Sequence, residues 1–102
     1  MRNKQTGYLI AVDEFCSHHK IEISFIRSLQ QTGLIELTFD HETVFIEASQ
    51  VEKLEKFICF YYELDINLEG IETITHLLQR INSLQDEIML LRNRLRLYES
   101  IE

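Results

Sequence analysis

Apolar residues recur every three or four positions over two short stretches near the start of the chain, the spacing that places them on one face of a helix. The first stretch, Val12 to His19, opens with two acidic residues, which the helix dipole favours at this end. The second, Glu22 to Thr32, is followed at once by Gly33, a residue that enters the left-handed conformation freely and so ends helices. The pattern predicts two helices joined by a tight turn, a helix-turn-helix.

The next stretch, residues 34–46, changes to β-prone residues around a polar turn at residues 40–42. It predicts a small β-hairpin, or wing. Helical spacing then returns over residues 49–64. Ser49 and Glu52 stand three positions apart at its start, the spacing of a capping box, and are expected to begin this third helix.

The last third of the chain carries the clearest pattern. After a joint at residues 65–67, where Asn67 can cap a helix, two series of apolar residues each recur every seven positions. They interleave as the seam of a coiled coil, formed by Ile74, Leu77, Ile81, Leu84, Ile88, Leu91, Leu95 and Tyr98. We expect this seam to hold a homodimer, because the remaining chain is too small to cover a helix of about 30 residues.

The direction of the coil stays open at this level. The flanking charges fit a parallel pair, in which Glu87 meets the partner's Arg92, and also an antiparallel pair, in which Arg80 meets the partner's Glu87. A further alternative is that the helix folds back on its own domain. The predicted organisation is therefore a flexible leader at residues 1–7, a winged helix-turn-helix domain at 8–66 and a long helix at 67–102, in a mainly α fold.

The distribution of charge limits what the predicted helix-turn-helix can bind. The 102 residues carry ten Lys+Arg and seventeen Asp+Glu, a net charge of −7. Residues 7–48 hold only two cations, Lys20 and Arg27, against seven carboxylates: Asp13, Glu14, Glu22, Glu36, Asp40, Glu42 and Glu47. Proteins bind DNA phosphates through Lys and Arg, so this half of the chain disfavours DNA and would attract a basic partner. The alternative is that these carboxylates only form a solvated surface.

Patterns typical of enzymes or metal sites do not occur in the sequence, and no cofactor, metal or small-molecule ligand is expected. His18 and His19 are adjacent, so on a helix they diverge by about 100° and chelate poorly. Cys16 and Cys59 are expected to be buried, inert thiols. The aromatic run at residues 60–62 is expected to pack in the core or at a dimer interface. No apolar run is long enough for a membrane span, and a reducing cytoplasm is the expected location.

The order of helix-turn-helix, wing, helix and long helix resembles the MerR superfamily of winged helix-turn-helix proteins, from about Leu9 to Tyr98. MerR regulators carry a pattern like Pro-Arg-Thr-Leu-Arg-Tyr-Tyr in the second helix. Here the same stretch reads Ile23-Ser24-Phe25-Ile26-Arg27-Ser28-Leu29, which keeps a single Arg, and the wing has none. The resemblance implies a DNA-binding transcriptional regulator as an alternative function, although most of the DNA-binding residues are absent.

The chain also resembles, more closely, the CbpM family of chaperone modulators, which are MerR-like in fold. The shared features are Glu14-Phe15-Cys16 with His18, Gly33-Leu34-Ile35, Glu63-Leu64, Gly70-Ile71 and Leu91-Arg92-Asn93-Arg94-Leu95. This resemblance implies a non-enzymatic protein that binds the J-domain of a DnaJ/CbpA-like co-chaperone and blocks its work with the Hsp70 chaperone DnaK. J-domains present a basic helix, so an acidic competitor is electrostatically suited to them.

The partner-binding residues are expected at the N-terminal ends of the first two helices. Asp13 and Glu14 open the first helix, and Glu22 opens the second, so their carboxylates can lie near one another. The next candidate surface is the joint before the long helix, around Glu63 and Asp65.

Overall fold

A computed structural model describes residues 8–101, so the predicted leader at residues 1–7 lies outside the described residues. The elements in chain order are β1 (Leu9–Ala11), α1 (Val12–His19), α2 (Ile23–Gln31), β2 (Thr38–Asp40), β3 (Thr43–Glu47), a 3₁₀ turn (Ala48–Gln50), α3 (Val51–Ile58), a π-helical segment (Cys59–Glu63) and α4 (Leu68–Ile101). The fold is mainly helical, with a small sheet and a long last helix, as the sequence predicts.

The two predicted helices of the helix-turn-helix are confirmed. Lys20 ends α1 in the left-handed conformation (φ 58°), and its backbone N–H bonds the carbonyl of Ser17 at 3.4 Å. Gly33 follows α2 with φ +85°, a conformation that a side chain would strain. These two residues set the angles at which the chain enters and leaves α2.

The wing belongs to a three-stranded antiparallel sheet in the order β1-β3-β2. The hairpin of β2 and β3 turns at His41, which has φ 58°, and pairs Phe39 with Val44. The sequence did not predict β1. This strand pairs Ile10 with Ile46 and so joins the start of the chain to the wing.

The predicted capping box at the start of the third helix is wrong. The chain enters α3 through the 3₁₀ turn, and the hydroxyl of Ser49 bonds the carboxylate of Glu47 at 3.4 Å instead of a backbone N–H. Beyond Ile58 the helix widens into the π-helical segment. Cys59 consequently lies only partly buried, whereas full burial was predicted.

The core lies between the helix-turn-helix, the sheet and α3, and includes the first turn of α4. Its fully buried side chains are Ile26, Leu29, Ile46, Leu54 and Ile71. Asn67 caps α4 as predicted, since its Oδ1 accepts the N–H of Gly70 at 2.8 Å. The chain divides into two compact units, Met1–Ile71 and Glu72–Glu102. Within residues 8–101 no helix has both the length and the apolar character needed to cross a membrane.

Candidate functional site

A groove of about 370 Å³ lies between α2 and the wing. Side chains from both elements form its apolar wall, among them Ile23, which is 43% exposed, and Phe39, which is 65% exposed. Polar residues also line it: Asp13, Arg27, Gln30, Gln31, Glu42 and Thr43. A concavity that combines exposed apolar side chains with charged and polar ones is typical of protein–protein contact sites.

The part of the chain that supplies the groove lining, residues 7–48, carries many exposed carboxylates. Of the seven carboxylates at residues 7–48, all but Glu47 are exposed, and Glu47 is half-buried. Within the described part of the chain, the side chains of Asp13, Glu14 and Glu42 form no salt bridge. Among residues 8–101, Arg27 is the single Lys or Arg that lines the groove. Asp13 and Glu42 thus give the groove two carboxylates against one guanidinium, a lining with a net negative charge.

The three carboxylates that the sequence grouped together are all exposed. Asp13 lines the groove, whereas Glu14 lines a shallow depression with His18 and His19. Glu22 is the residue before α2, and its carboxylate accepts a hydrogen bond from the hydroxyl of Ser24 at 3.2 Å. Asp13 and Glu14 therefore line different concavities.

Glu22 lies beside Tyr62, which belongs to the π-helical segment before α4. Its backbone N–H donates to the hydroxyl of Tyr62 at 3.2 Å. The ring of Tyr61 stacks on buried Phe25 with a centroid distance of 4.5 Å, and Tyr62 lies edge-on to both rings. The first expected partner surface and the alternative surface around Asp65 therefore meet at Glu22 and Tyr62.

The histidines and cysteines have structural contacts. The ring of His19 stacks on Phe15 at 4.0 Å, and its Nε2 lies 3.7 Å from the carboxylate of Glu55 on α3. Burial and the nearby carboxylate of Asp13 raise the pKa of the Cys16 thiol, which favours the unreactive neutral form. Within residues 8–101 no group of His, Cys, Asp and Glu side chains is arranged to hold a metal ion.

The thiol of Cys59 has a different environment. It donates a hydrogen bond to the carboxylate of Glu63 at 3.4 Å. This hydrogen bond is the main reason that the pKa of Cys59 lies above its ordinary value. A raised pKa keeps this thiol protonated too, although it is not fully buried.

The predicted dimer seam lies on α4. Ile74 is half-buried, and the other seven seam residues are 42–72% exposed: Leu77, Ile81, Leu84, Ile88, Leu91, Leu95 and Tyr98. A row of exposed large apolar side chains along one helix is the arrangement that a coiled-coil partner covers.

Sequence reasoning missed two residues of the groove, Phe39 and Glu42. Phe39 was read as a β-prone residue of the hairpin, and its 65% exposure places a large ring on the groove wall. The available signal was its position beside the polar turn, where an aromatic residue has little core to pack against. Glu42 was counted only as part of the acidic surface, because its position opposite Asp13 depends on how the hairpin folds.

One comparison with known proteins agrees with this architecture. The sequence model described as MerR HTH family regulatory protein matches residues 10–93. That range covers most of β1, the helix-turn-helix, the wing, α3 and most of α4. No curated protein and no solved structure gives a significant match to the chain.

Proposed function

The chain belongs to the MerR helix-turn-helix family, and we propose that it is a non-enzymatic member that binds a basic protein instead of DNA. The proposed partner is the J-domain of a DnaJ/CbpA-like co-chaperone, as the resemblance to the CbpM family implies. By occupying the basic face of the J-domain, the protein would inhibit its work with the Hsp70 chaperone DnaK.

One observation carries this proposal: the charge on the face that a winged helix-turn-helix presents. DNA binding by this scaffold requires several Lys or Arg on the second helix and the wing, because phosphate contacts position the protein on the duplex. Here α2 offers only Arg27, and the exposed hairpin turn carries Asp40, His41 and Glu42. The charge of the face therefore opposes phosphate and complements a basic surface.

The groove supplies what a protein contact needs beyond charge. Its apolar wall, with the exposed parts of Ile23 and Phe39, provides surface that a partner side chain can desolvate. The carboxylates of Asp13 and Glu42 in the groove lining would raise the rate of encounter with a basic partner. Glu14 and Glu22, on neighbouring parts of the same acidic surface, are proposed to extend the contact.

The protein is proposed to act as a homodimer through α4. The exposed seam from Leu77 to Tyr98 supports this proposal, because it leaves about three heptads of apolar surface for a second copy to cover. A dimer would present two acidic grooves and so bind two J-domains.

The test is a direct comparison of the two ligand classes. Full-length protein is titrated with a fluorescently labelled J-domain fragment of a DnaJ/CbpA-like co-chaperone and, separately, with an operator-like DNA duplex, both at about 0.15 M salt. The proposal requires saturable binding of the J-domain and none of the duplex. It also requires that the protein lower the ATPase stimulation that the J-domain gives DnaK. Binding of the duplex alone would instead support the MerR-like transcriptional regulator.

A further inference from the structure

The π-helical segment before α4 presents two half-exposed tyrosine rings that do not line the groove. Tyr61 is 38% exposed and Tyr62 is 40% exposed. Buried Phe25 stacks on Tyr61 at an interplanar angle of 29°, and Tyr62 meets the Tyr61 ring edge-on at 5.1 Å. These contacts, together with the Glu22–Tyr62 hydrogen bond, hold both rings in fixed positions at the surface.

A depression of about 370 Å³ lies against these rings. It is lined by Tyr61, Tyr62, Asp65, Ile66 and Asn67. Asp65 adopts φ 57°, and the N–H of Ile66 bonds the carbonyl of Phe60 at 2.9 Å, so the backbone beside the rings is defined. Leu64, 58% exposed, adds apolar surface next to the rings.

The stretch of chain that carries the rings has charges of one sign. Residues 57–79 contain four carboxylates and no Lys or Arg. Two of them, Glu63 and Asp65, flank Leu64 and are exposed. Aromatic faces attract cations, and nearby carboxylates strengthen that attraction.

We propose that this tyrosine patch, formed by Tyr61, Tyr62, Glu63, Leu64 and Asp65, binds an arginine side chain from a basic segment of a protein partner. A guanidinium group suits the patch better than an ammonium group, because it is planar, stacks on aromatic rings and donates two parallel hydrogen bonds to a carboxylate. The aliphatic stem of the arginine packs against the exposed leucine. The patch is therefore selective for arginine over lysine.

The inference goes beyond the proposed function, since it concerns a second surface and a side-chain preference. It does not depend on the J-domain being the partner. The test accordingly uses defined peptides that contain no J-domain sequence.

The probes are two fluorescein-labelled, alanine-rich helical peptides that carry either three arginines or three lysines at the same positions. Each is titrated with full-length protein at low salt, and fluorescence anisotropy reports binding. The arginine peptide is expected to bind about two- to fivefold more tightly than the lysine peptide. Tyr62→Leu abolishes this preference, whereas Tyr62→Phe, which keeps the ring, retains it.

Charge variants provide the matched control. Glu63→Gln with Asp65→Asn weakens binding of both peptides. Glutamine at position 63 can still accept the hydrogen bond from Cys59. Asparagine at position 65 tolerates the left-handed backbone conformation found there. Glu52→Gln with Asp86→Asn makes the same change in net charge elsewhere and has no effect.

Three outcomes would overturn the proposal. The first is equal affinity for the two peptides, and the second is an unchanged preference in Tyr62→Leu. The third is that the wild type binds neither peptide while Tyr62→Leu converts the dimer to a monomer, which would make the patch an interface between two copies of the chain. The groove variant Asp13→Asn with Glu42→Gln is expected to leave the arginine preference intact, which separates this inference from the proposed function.

Discussion

The backbone N–H of Glu22 donates a hydrogen bond to the hydroxyl of Tyr62, 40 residues further along the chain. The bond joins the start of α2 to the π-helical segment, and the stacked pair of Phe25 and Tyr61 lies beside it. The helix-turn-helix and the π-helical segment are thus connected by a polar and an aromatic contact. Glu22 belongs to the first surface on which we expect a partner to bind, and Tyr62 belongs to the second.

The contribution of this hydrogen bond to stability can be measured. Tyr62→Phe removes the hydroxyl and keeps the ring, so the free energy of unfolding is expected to fall by about 0.5–1 kcal/mol, the lower part of the range for hydrogen bonds because the contact is exposed. Tyr61→Phe is the control, since the Tyr61 hydroxyl has no hydrogen-bond partner among residues 8–101. Urea unfolding of the two variants should differ; equal stabilities would show that the bond contributes nothing.

The start of α4 is expected to depend on the side chain of Asn67. Asn67→Ala removes the acceptor for the N–H of Gly70 and should lower the free energy of unfolding by about 1 kcal/mol, whereas Asn67→Asp keeps an acceptor and should be nearly neutral. Gly70→Ala should also destabilise the protein, because a Cβ there would lie 2.7 Å from Cγ2 of Ile66. Thermal unfolding measures all three, and an unchanged melting temperature in Asn67→Ala would contradict the cap.

The sequence predicted the helices well because their signals are local. The bounds of α1 and α2 follow from the apolar spacing and from Gly33, and the cap at Asn67 follows from one residue. β1 could not be predicted in this way. Leu9–Ala11 is three residues long and does not alternate, and it is a strand because β3 pairs with it from more than 30 residues away.

The other differences between the predicted and the observed structure arise from local geometry that the spacing of residues does not determine. Ser49 could cap a helix, but Glu47 takes its hydroxyl and the chain forms a 3₁₀ turn. The π-helical segment alters the helical phase after Ile58, so Cys59 leaves the predicted buried face. The groove combines side chains from α1, α2 and the hairpin, and its lining therefore depends on tertiary contacts that spacing does not encode.

The seam on α4 predicts a homodimer that specific substitutions dissociate. Ile81→Asp with Leu84→Asp would bury two charges per chain at the centre of the coil, and each would cost several kcal/mol if it stayed desolvated. Sedimentation should show a dimer for the wild type and a monomer for this variant. Gln79→Asp with Asn93→Asp places two aspartates on the outer face of the same helix and should remain dimeric. A wild-type protein that is monomeric at tens of micromolar would refute the prediction.

The acidic wing predicts that the protein does not bind DNA. At about 0.15 M salt, a mobility-shift assay with an operator-like duplex should show no specific complex, because Arg27 alone can neutralise few phosphates. Non-specific binding should be weak as well. A shifted complex at nanomolar protein would reverse this conclusion and restore the transcriptional regulator as the preferred function.

The central claim is that the acidic surface at the start of α1 and α2 binds a basic J-domain, and a charge-reversal variant tests it. Asp13→Lys, Glu14→Lys and Glu22→Lys together should weaken the complex at least about tenfold at low salt and make its affinity less dependent on salt. The control carries Glu52→Lys, Asp86→Lys, Gln79→Lys and Asn93→Lys, which change the net charge by the same amount on surfaces outside the groove. Circular dichroism and sedimentation should show that both variants keep the helicity and the oligomeric state of the wild type.

The most direct measurement is calorimetric titration of a J-domain fragment into the wild type, the charge-reversal variant and this control at two salt concentrations. We expect the wild type and the control to bind alike at both concentrations, and the charge-reversal variant to bind more weakly with a smaller salt effect. Equal affinity of the wild type and the charge-reversal variant at both salt concentrations would contradict the claim.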